Sequence, residues 1–470
     1  MSPEDSAGDL AIVLHSHMPY VEGFGTYPFG EEWLFDAVIR SYLPVLEVAE
    51  RLTMTVTPVL ADQLEEDGVR ERLRRFLLDW RIGSAVADRD EVRPECREAC
   101  EAEEARYRHA LELLDGHDGS PLRAFQAAAE EGRVALATSA ATHAVLPLLA
   151  TREGLRLQLD AGIRSHRRRF GWDGGFWLPE CAYAPGLEWR LAEQGVGWFC
   201  VDQSRHGPPL DALAPIATEA GPVALPIDWE AIEWLWSLNG YPSDPAHAQF
   251  AGESLRGVRI WKVGGGPYDP VAAEAAARRQ AGEFLDAVAA RLRSYAGERG
   301  ERGLLVFAID TELLGHWWSE GAIWLSEVLA SAEAAGVRLR TVPEALREHE
   351  PRPRPIHAST WGEGKDLRTW DSPAVADLAG GVRRLELRLL RALAAGLRGG
   401  AALRAARELL AAQASDWAFL DKRGQAGDYA FLRAISHSQA ALEAIDSPAI
   451  ADPRMRALAP ELSLSTLLQP

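Results

Sequence analysis

The sequence predicts an α/β fold in which a parallel, barrel-like sheet is covered by helices. Short apolar or β-branched runs alternate with amphipathic stretches between residues 10 and 342, which is the pattern of successive strand–helix units. The runs are apolar on both faces, as buried parallel strands are. Titratable side chains directly follow five of the runs, as they do at the mouth of an α/β barrel.

Seven strands account for the apolar runs. They are predicted at residues 10–14, 53–57, 134–138, 175–178, 198–202, 304–309 and 338–342. The amphipathic stretches between them predict helices at 33–52, 151–170, 185–194, 270–295 and 325–334. Because the C-terminal ends of parallel strands meet at one edge of a sheet, we expect the polar residues that follow them to form one site.

Two regions depart from this alternation. Residues from about 60 to 130 are charged and helical in pattern, and we predict a helical insertion between two strands there. A proline-rich hinge at 351–355 follows the last strand, and beyond residue 371 only Ala-, Leu- and Arg-rich helical sequence remains. We therefore expect a catalytic barrel at 1–350, which includes the insertion, and a C-terminal helical domain at 351–470.

The composition argues against several classes of partner. Acidic residues outnumber basic ones by 69 to 50, a net charge of −19, so phosphate backbones and anionic lipid would be repelled. Four cysteines do not form a disulfide scaffold. The acidic segment at residues 1–9 is the reverse of a signal peptide, and no apolar run reaches the ~18 residues of a membrane span. We expect a cytoplasmic monomer or small homo-oligomer without nucleic-acid or membrane partners.

Tryptophan, with 16 residues, outnumbers both phenylalanine (13) and tyrosine (9). Many of these indoles lie beside charged residues and glycines, and carbohydrate sites combine aromatic faces with polar groups in this way. Trp361 and Trp370 lie on either side of a Gly-x-Gly turn. They are predicted to be sugar platforms at the barrel mouth, with packing between the two domains as the alternative.

Histidines follow two of the predicted strands. His15 and His17, two residues apart, are compatible with a metal site if Asp202 or His143 supplies a third ligand. Hydrogen bonding to substrate hydroxyls is the preferred interpretation, and histidines satisfied within the barrel core are the second alternative. We therefore predict neither a metal nor a cofactor.

The segment 174–183 carries the sharpest signal in the chain. Glu180 follows a proline at a strand end and is flanked by Trp177 and Tyr183, a setting that a surface charge does not explain. A carboxylate held there can attack an anomeric carbon as a nucleophile. Trp177 and Tyr183 are predicted to contact the substrate.

A second carboxylate cluster follows the sixth predicted strand. Asp310 ends that strand, and Glu312, His316 and Trp317 come directly after it. Glycoside chemistry needs a second carboxyl group that gives and takes a proton, and a tryptophan-lined pocket raises its pKa by desolvation. Asp310 is the predicted proton donor, whereas Glu312 either competes for that role or orients Asp310 or His316. We expect Glu312, His316 and Trp317 to contact the substrate.

Together these motifs resemble glycoside hydrolase family 57, and within it the 1,4-α-glucan branching enzymes. The motif-like stretches are 15–20 with 31–34, 138–143, 177–183, 310–321 and 361–370, and 415–419 is similar to a helical-domain signature. The resemblance implies an incomplete (β/α)7 barrel with a helical insertion and a C-terminal all-helical domain. It also implies a retaining mechanism on an α-glucan polysaccharide without metal or cofactor.

The resemblance further implies roles for individual residues. Glu180 corresponds to the nucleophile and Asp310 to the general acid/base. The residues that hold sugar hydroxyls correspond to His15, His17 and His143. The aromatic positions of the substrate groove correspond to Trp261, Trp361 and Trp370.

One departure from the family concerns the outcome of the reaction. The resemblance implies a flexible loop with a tyrosine over the site, which favours transfer to a glucan over loss to water. Here the corresponding stretch, about 203–226, is short, and no tyrosine occurs between Tyr183 and Tyr241. We expect a branching enzyme, with an α-amylase-like hydrolase of little or no branching activity as the first alternative. The others are a metal-dependent deacetylase-like barrel using His15, His17 and Asp202, and a glucan-binding protein without catalysis.

Overall fold

The structure, a computed structural model, describes residues 6–23, 30–448 and 456–468. Residues 1–5 of the acidic N-terminal segment therefore lie outside the described residues. Within the described ranges, no helix is both long and apolar enough to cross a membrane.

Within these ranges, ten strands form one open, curled sheet. They are β1 (Gly8–Ser16), β2 (Leu52–Val56), β3 (Val134–Ser139), β4 (Gly175–Trp177), β5 (Trp198–Val201), β6 (Ile216–Ala217), β7 (Val223–Pro226), β8 (Gly303–Asp310), β9 (Val337–Leu339) and β10 (Arg352–Pro353). Their order is β10-β6-β7-β5-β4-β3-β2-β1-β8, and β9 pairs with β1. All the pairs are parallel except β6 with β7. The predicted α/β class with an incomplete barrel is confirmed.

Register brings the strand ends to one edge of the sheet. In the pairing of β1 with β8, His15 lies opposite Asp310, and in the pairing of β3 with β4, Ser139 lies opposite Trp177. Every residue of β1 is buried, as its apolar sequence predicts. The polar groups beyond these ends therefore converge on one side of the sheet.

All seven predicted strands are present, and the structure adds three short ones. β6 and β10 have two residues each, too short to leave a pattern in the sequence. β7, a strand of four residues, pairs with β5 along its whole length. The stretch 203–226 is therefore not all loop, because its last four residues continue the sheet.

Helices cover the sheet and form the insertion and the C-terminal region. In the barrel and insertion they are α1 (Glu31–Ala37), α2 (Leu43–Val48), α3 (Pro58–Glu65), α4 (Val69–Arg75), α5 (Gly83–Glu91), α6 (Arg97–Gly116), α7 (Pro121–Glu130), α8 (Arg152–Phe170), α9 (Leu187–Glu193), α10 (Trp229–Trp236), α11 (Pro270–Arg299), α12 (Gly321–Ser331) and α13 (Val342–Glu348). Beyond the barrel they are α14 (Ala376–Ala394), α15 (Gly399–Ala412), α16 (Ser415–Arg423), α17 (Tyr429–Asp446) and α18 (Ser465–Leu468). π-Helical turns at Val38–Tyr42 and Phe76–Ile82 continue α1 and α4.

The C-terminal helices pack directly on the barrel. One apolar cluster joins Tyr20 and Leu157 of the barrel region to Leu389 and Leu409 of α14 and α15. Such burial contributes roughly 1.5–3 kcal/mol per large side chain. The start of α16 is thereby held against the C-terminal ends of the strands. The division of the chain at residue 350 stays a prediction.

Candidate active site

Glu180 lies in a tight turn directly after β4. Its backbone is left-handed, with φ 61° and ψ 20°, and the following Cys181 has φ 48°. Non-glycine residues adopt this conformation at a cost, and such strain is found where a functional side chain must point in a set direction. The carbonyl of Glu180 accepts a hydrogen bond from the backbone N–H of Trp361 at 3.0 Å. This contact helps to hold the turn in place.

Both carboxylate oxygens of Glu180 have a donor. The Ser415 hydroxyl donates to Oε1 at 2.7 Å, and the indole N–H of Trp361 donates to Oε2 at 2.8 Å. Burial raises the pKa of Glu180, while these two hydrogen bonds act to lower it. The side chain is 13% exposed, so the carboxylate is fixed but open to a ligand.

Three histidines stack beside Glu180. His15 Nε2 and His143 Nε2 are 3.0 Å apart, and the rings of His17 and His143 stack with centroids 4.2 Å apart. His143 Nδ1 lies 2.9 Å from the Ser415 hydroxyl. Burial holds the pKa of His15 and of His143 well below the usual range. Both rings are therefore neutral, with one donor and one acceptor nitrogen each. These nitrogens are paired with each other, with the Thr55 hydroxyl and with the Ser415 hydroxyl.

His17 differs from the other two histidines because it has a carboxylate partner. Its Nε2 lies 3.0 Å from Asp416 of α16, and its Nδ1 lies 3.0 Å from the Thr57 hydroxyl. Burial lowers the pKa of His17, but the charge and the hydrogen bond of Asp416 outweigh it and raise the pKa. His17 is thus the histidine of the three that is most readily protonated.

Asp310 faces this cluster from the end of β8. Burial, together with the charges of Glu312, Glu180 and Asp416, raises its pKa well above the usual range. Glu312 accepts hydrogen bonds from the Tyr42 hydroxyl and from the backbone N–H of His17, the latter at 3.0 Å. A carboxyl kept protonated beside a fixed carboxylate is the pair that acid/base and nucleophilic catalysis require.

Two tryptophans lie next to Glu180 and the histidines. Trp177 is fully buried and stacks on His15 with ring centroids 4.6 Å apart. Trp361 packs edge-on against Trp177 at 5.0 Å. The buried indole N–H of Trp177 has no hydrogen-bond partner within the described part of the chain. A sugar hydroxyl would satisfy it.

Two other predicted residues, Tyr183 and Trp370, are buried. The Tyr183 hydroxyl donates to Glu188 at 2.6 Å, and Trp370, 3% exposed, packs with Val145 and Ala182. In both cases little of the ring is open to a ligand in this structure. Their roles in substrate binding stay predictions.

Three more predicted residues lie toward the loop after β8 and the turns before α11. Trp261 is half-buried beneath the guanidinium of Arg93, 4.8 Å from its ring centroid. His316 is held neutral because burial lowers its pKa to about 3. Trp317 is 48% exposed and stacks on Phe250. These roles, too, stay predictions.

The structure groups possible metal ligands differently from the sequence hypothesis. Within the described ranges, three ligand atoms within 4.8 Å of one another come from His17, His143 and Asp416. Asp202 is not in this group, because its carboxylate pairs with Lys365 at 2.7 Å. A site with Asp202 as the third ligand therefore has no geometric support.

Sequence reasoning missed the two residues that α16 contributes. Ser415 and Asp416 contact Glu180, His143 and His17. Their motif resembles a helical-domain signature, and nothing in the sequence places residue 415 beside residue 180. A serine and an aspartate at the start of a helix are otherwise typical of capping.

Comparisons with known proteins identify the family of the chain. The model of glycosyl hydrolase family 57 matches residues 11–357, and a model of the C-terminal part of 1,4-α-glucan branching enzyme matches residues 385–459. A 1,4-α-glucan branching enzyme of Thermococcus kodakarensis is 31% identical over 491 residues, 92% of this chain and 72% of that protein. The resemblance predicted from the motifs is confirmed.

Solved structures of similar fold include two with stated activities. The family 57 branching enzyme of Pyrococcus horikoshii superposes with a TM-score of 0.88 and 31% identity, covering 98% of this chain and 95% of that one. The α-amylase AmyC of Thermotoga maritima superposes with a TM-score of 0.83 and 25% identity, with coverage of 98% and 95%.

Proposed function

The chain belongs to glycosyl hydrolase family 57, and from this membership we propose how the residues at its strand ends carry out the reaction. Its activity is 1,4-α-glucan branching, the cleavage of an α-1,4 bond and transfer of the released chain to a 6-hydroxyl. The proposal concerns the residues, the mechanism and the finer choice of substrate. One observation carries it: Glu180 is a carboxylate fixed by two hydrogen bonds, and it lies near enough to Asp310 for its charge to help raise the pKa of that carboxyl.

In the first step a Glu180 oxygen attacks the anomeric carbon of the donor glucan. The C1–O bond breaks, and the Asp310 carboxyl gives its proton to the departing oxygen, so that the leaving chain ends in a 4-hydroxyl. The product is a glycosyl ester on Glu180. Ser415 and Trp361 hold the carboxylate in the direction of attack.

In the second step the roles reverse. The Asp310 carboxylate takes the proton from the 6-hydroxyl of an acceptor glucan, whose oxygen attacks C1 and releases Glu180. The result is an α-1,6 bond with retained configuration. Water in place of the acceptor would give hydrolysis, so the outcome depends on which nucleophile reaches the ester.

We assign the neutral histidines to the sugar at the cleaved bond. The Nε2 atoms of His15 and His143 pair with each other at 3.0 Å, and a sugar hydroxyl would take the place of that contact. The N–H of Trp177, which stacks on His15, has no partner within the described residues. Neutral imidazoles can donate to and accept from hydroxyls without adding charge next to an oxocarbenium-like transition state. His17, held by Asp416 and Thr57, would keep the other two rings in position.

An α-amylase-like outcome is the second candidate, and two observations favour it. The chain is also similar to the α-amylase of Thermotoga maritima. The segment after β5 lacks a tyrosine. Its Gln203 donates hydrogen bonds to the carbonyl of His357 and to the Ser359 hydroxyl, and accepts one from the backbone N–H of His357. This segment lies fixed against a neighbouring loop.

Product analysis separates the two candidates. Amylose incubated with the enzyme is followed by proton NMR for α-1,6 anomeric signals and by a reducing-end assay, with Glu180→Gln as the inactive control. Growth of the α-1,6 signal with few new reducing ends is the expected result. Reducing ends without α-1,6 signal would identify a hydrolase instead.

The surroundings of the enzyme are also a proposal. We place it in the cytoplasm, since the four cysteines are free and buried and structural disulfides are rare in reducing compartments. There it would act on glycogen or a similar storage glucan as a monomer or small homo-oligomer.

A further inference from the structure

Apart from the aromatic residues beside Glu180, the structure has a second aromatic cluster at the loop that follows Asp310. The rings of Phe250 and Trp317 stack nearly parallel, with centroids 5.2 Å apart and an interplanar angle of 13°. Both side chains are close to half exposed, at 43% and 48%. The guanidinium of Arg259 lies 5.2 Å from the centroid of Phe250. Exposed apolar surface of this kind can form part of a ligand-binding groove.

The stack is fixed to the loop that carries the acid/base residue. Arg259 donates to the carbonyl of His316 and, at 2.6 Å, to the hydroxyl of Ser319. The backbone N–H of Trp317 donates to the carbonyl of Glu312 at 3.0 Å. Arg259 is itself buried, so the platform cannot move without breaking a buried network. Trp317 is therefore held rigidly.

The turn at Gly315 adds to this rigidity. Its φ is +108°, and a side-chain carbon there would meet the backbone carbonyl of Arg40. Only glycine fits such a close approach at a positive φ. The chain between Asp310 and Trp317 thus follows one fixed path.

The position of the stack indicates which part of the substrate it would touch. A general acid/base contacts the oxygen of the leaving chain and, later, the hydroxyl of the acceptor. Within the described part of the chain, neither Phe250 nor Trp317 makes a ring contact with the aromatic cluster beside Glu180. The backbone of Trp317 is instead hydrogen-bonded to Glu312, two residues after Asp310, so the stack lies on the loop of Asp310.

We propose that Phe250 and Trp317 form an acceptor-side platform for an α-glucan chain, on which a glucose ring of the incoming chain stacks. The proposal rests on the branching activity and deepens it, because it names the surface that brings a second glucan to the glycosyl ester. A chain held there would reach C1 ahead of water, even though no tyrosine-bearing loop follows β5. The platform would then set the ratio of transfer to hydrolysis.

The test uses a maltosyl fluoride donor and maltooligosaccharide acceptors. Release of fluoride reports formation of the glycosyl ester, whereas product lengths report how the ester is divided between acceptor and water. Trp317→Ala is compared with Trp317→Phe, which keeps an aromatic face, and with Trp189→Ala, a 51% exposed tryptophan on α9. We expect Trp317→Ala to lower the ratio of transfer to hydrolysis roughly tenfold and to raise the acceptor concentration for half-maximal transfer.

The remaining outcomes are also decisive. Trp317→Phe should recover most of the ratio, and Trp189→Ala should behave as wild type. A fall in fluoride release with an unchanged ratio would overturn the platform, because it would mean that Trp317 only supports the loop of Asp310. An unchanged ratio with unchanged release would overturn it as well. Wild-type enzyme that forms no α-1,6 bonds on amylose would refute branching, whereas the acceptor dependence of the ratio would still test the platform.

Discussion

The Ser415 hydroxyl donates to Glu180 Oε1 at 2.7 Å, across 235 positions of sequence. Ser415 is the first residue of α16, and its backbone N–H donates to the carbonyl of His143 at 3.1 Å. The start of this helix therefore touches both the carboxylate and the histidine beside it. The C-terminal helices therefore contribute side chains to the candidate active site.

Replacing Ser415 should weaken catalysis without unfolding the protein. Ser415→Ala removes the donor to Oε1, and a hydrogen bond to a charged group is worth enough to lower kcat roughly tenfold to a hundredfold. The pKa of Glu180 should also rise, which moves the acid limb of the pH–rate profile to higher pH. The measurement is kcat against pH, with the half-buried Ser438→Ala on α17 as control. A profile identical to wild type would show that the hydrogen bond has no catalytic role.

The pH dependence of activity should be bell-shaped. Glu180 must be ionised to attack, so activity falls as pH drops through its pKa, which burial raises. Asp310 must be protonated, so activity falls as pH rises through its pKa, which burial and the charge of Glu312 raise. Glu312→Gln removes that charge and should move the basic limb to lower pH. If the basic limb does not move, the raised pKa of Asp310 does not depend on the charge of Glu312.

The ion pair of Lys365 with Asp202 should hold the loop of Trp361. The two side chains are 14% and 1% exposed, and the Lys365 ammonium also lies over the ring of Trp229. Lys365→Met leaves a buried carboxylate without its partner, which costs about 3–5 kcal/mol when a pair is broken in this way. We expect a lower kcat and lower stability in urea, both partly restored when Asp202→Asn is added. A double variant no better than the single one would argue against coupling through this pair.

A buried ion cluster at the start of β1 should make stability depend on pH. Asp9, fully buried, accepts from Arg338 at 2.8 and 2.7 Å and lies 2.6 Å from His349 Nε2. Burial raises the pKa of Asp9, but the two partners outweigh it and lower the pKa below 3.8. Its contribution to stability is therefore present above pH 3.8 and is lost as the pH falls through the lowered pKa.

Asp9→Asn tests this cluster. The free energy of unfolding in urea at neutral pH should fall by about 3 kcal/mol, because the variant breaks a buried pair. The control is Asp90→Asn, whose side chain is 75% exposed. Equal stability of the two variants would contradict the role given to Asp9.

Most of the residues around Glu180 could be predicted because they follow strands directly. Glu180, Asp310 and His15 each come at the end of an apolar run, and parallel strands bring such ends together. Ser415 and Asp416 could not be placed, since their contacts depend on how α16 packs on the barrel. β6 and β10 could not be predicted because a strand of two residues shows no hydrophobic periodicity. The sequence around Trp370 fits both a sugar-binding residue and a core residue, so its role could not be predicted. In the structure Gly362 packs against its ring.

Trapping of the glycosyl ester tests the central claim most directly. The enzyme is treated with a 5-fluoro-maltosyl fluoride, from which the glycosyl ester forms faster than the ester breaks down. It is then digested, and the masses of its peptides are measured by mass spectrometry. The proposed mechanism predicts one added glycosyl group on the peptide that contains Glu180, and none in Glu180→Gln. A label on Asp310 or Glu312, or no label while the wild type still turns over amylose, would contradict it.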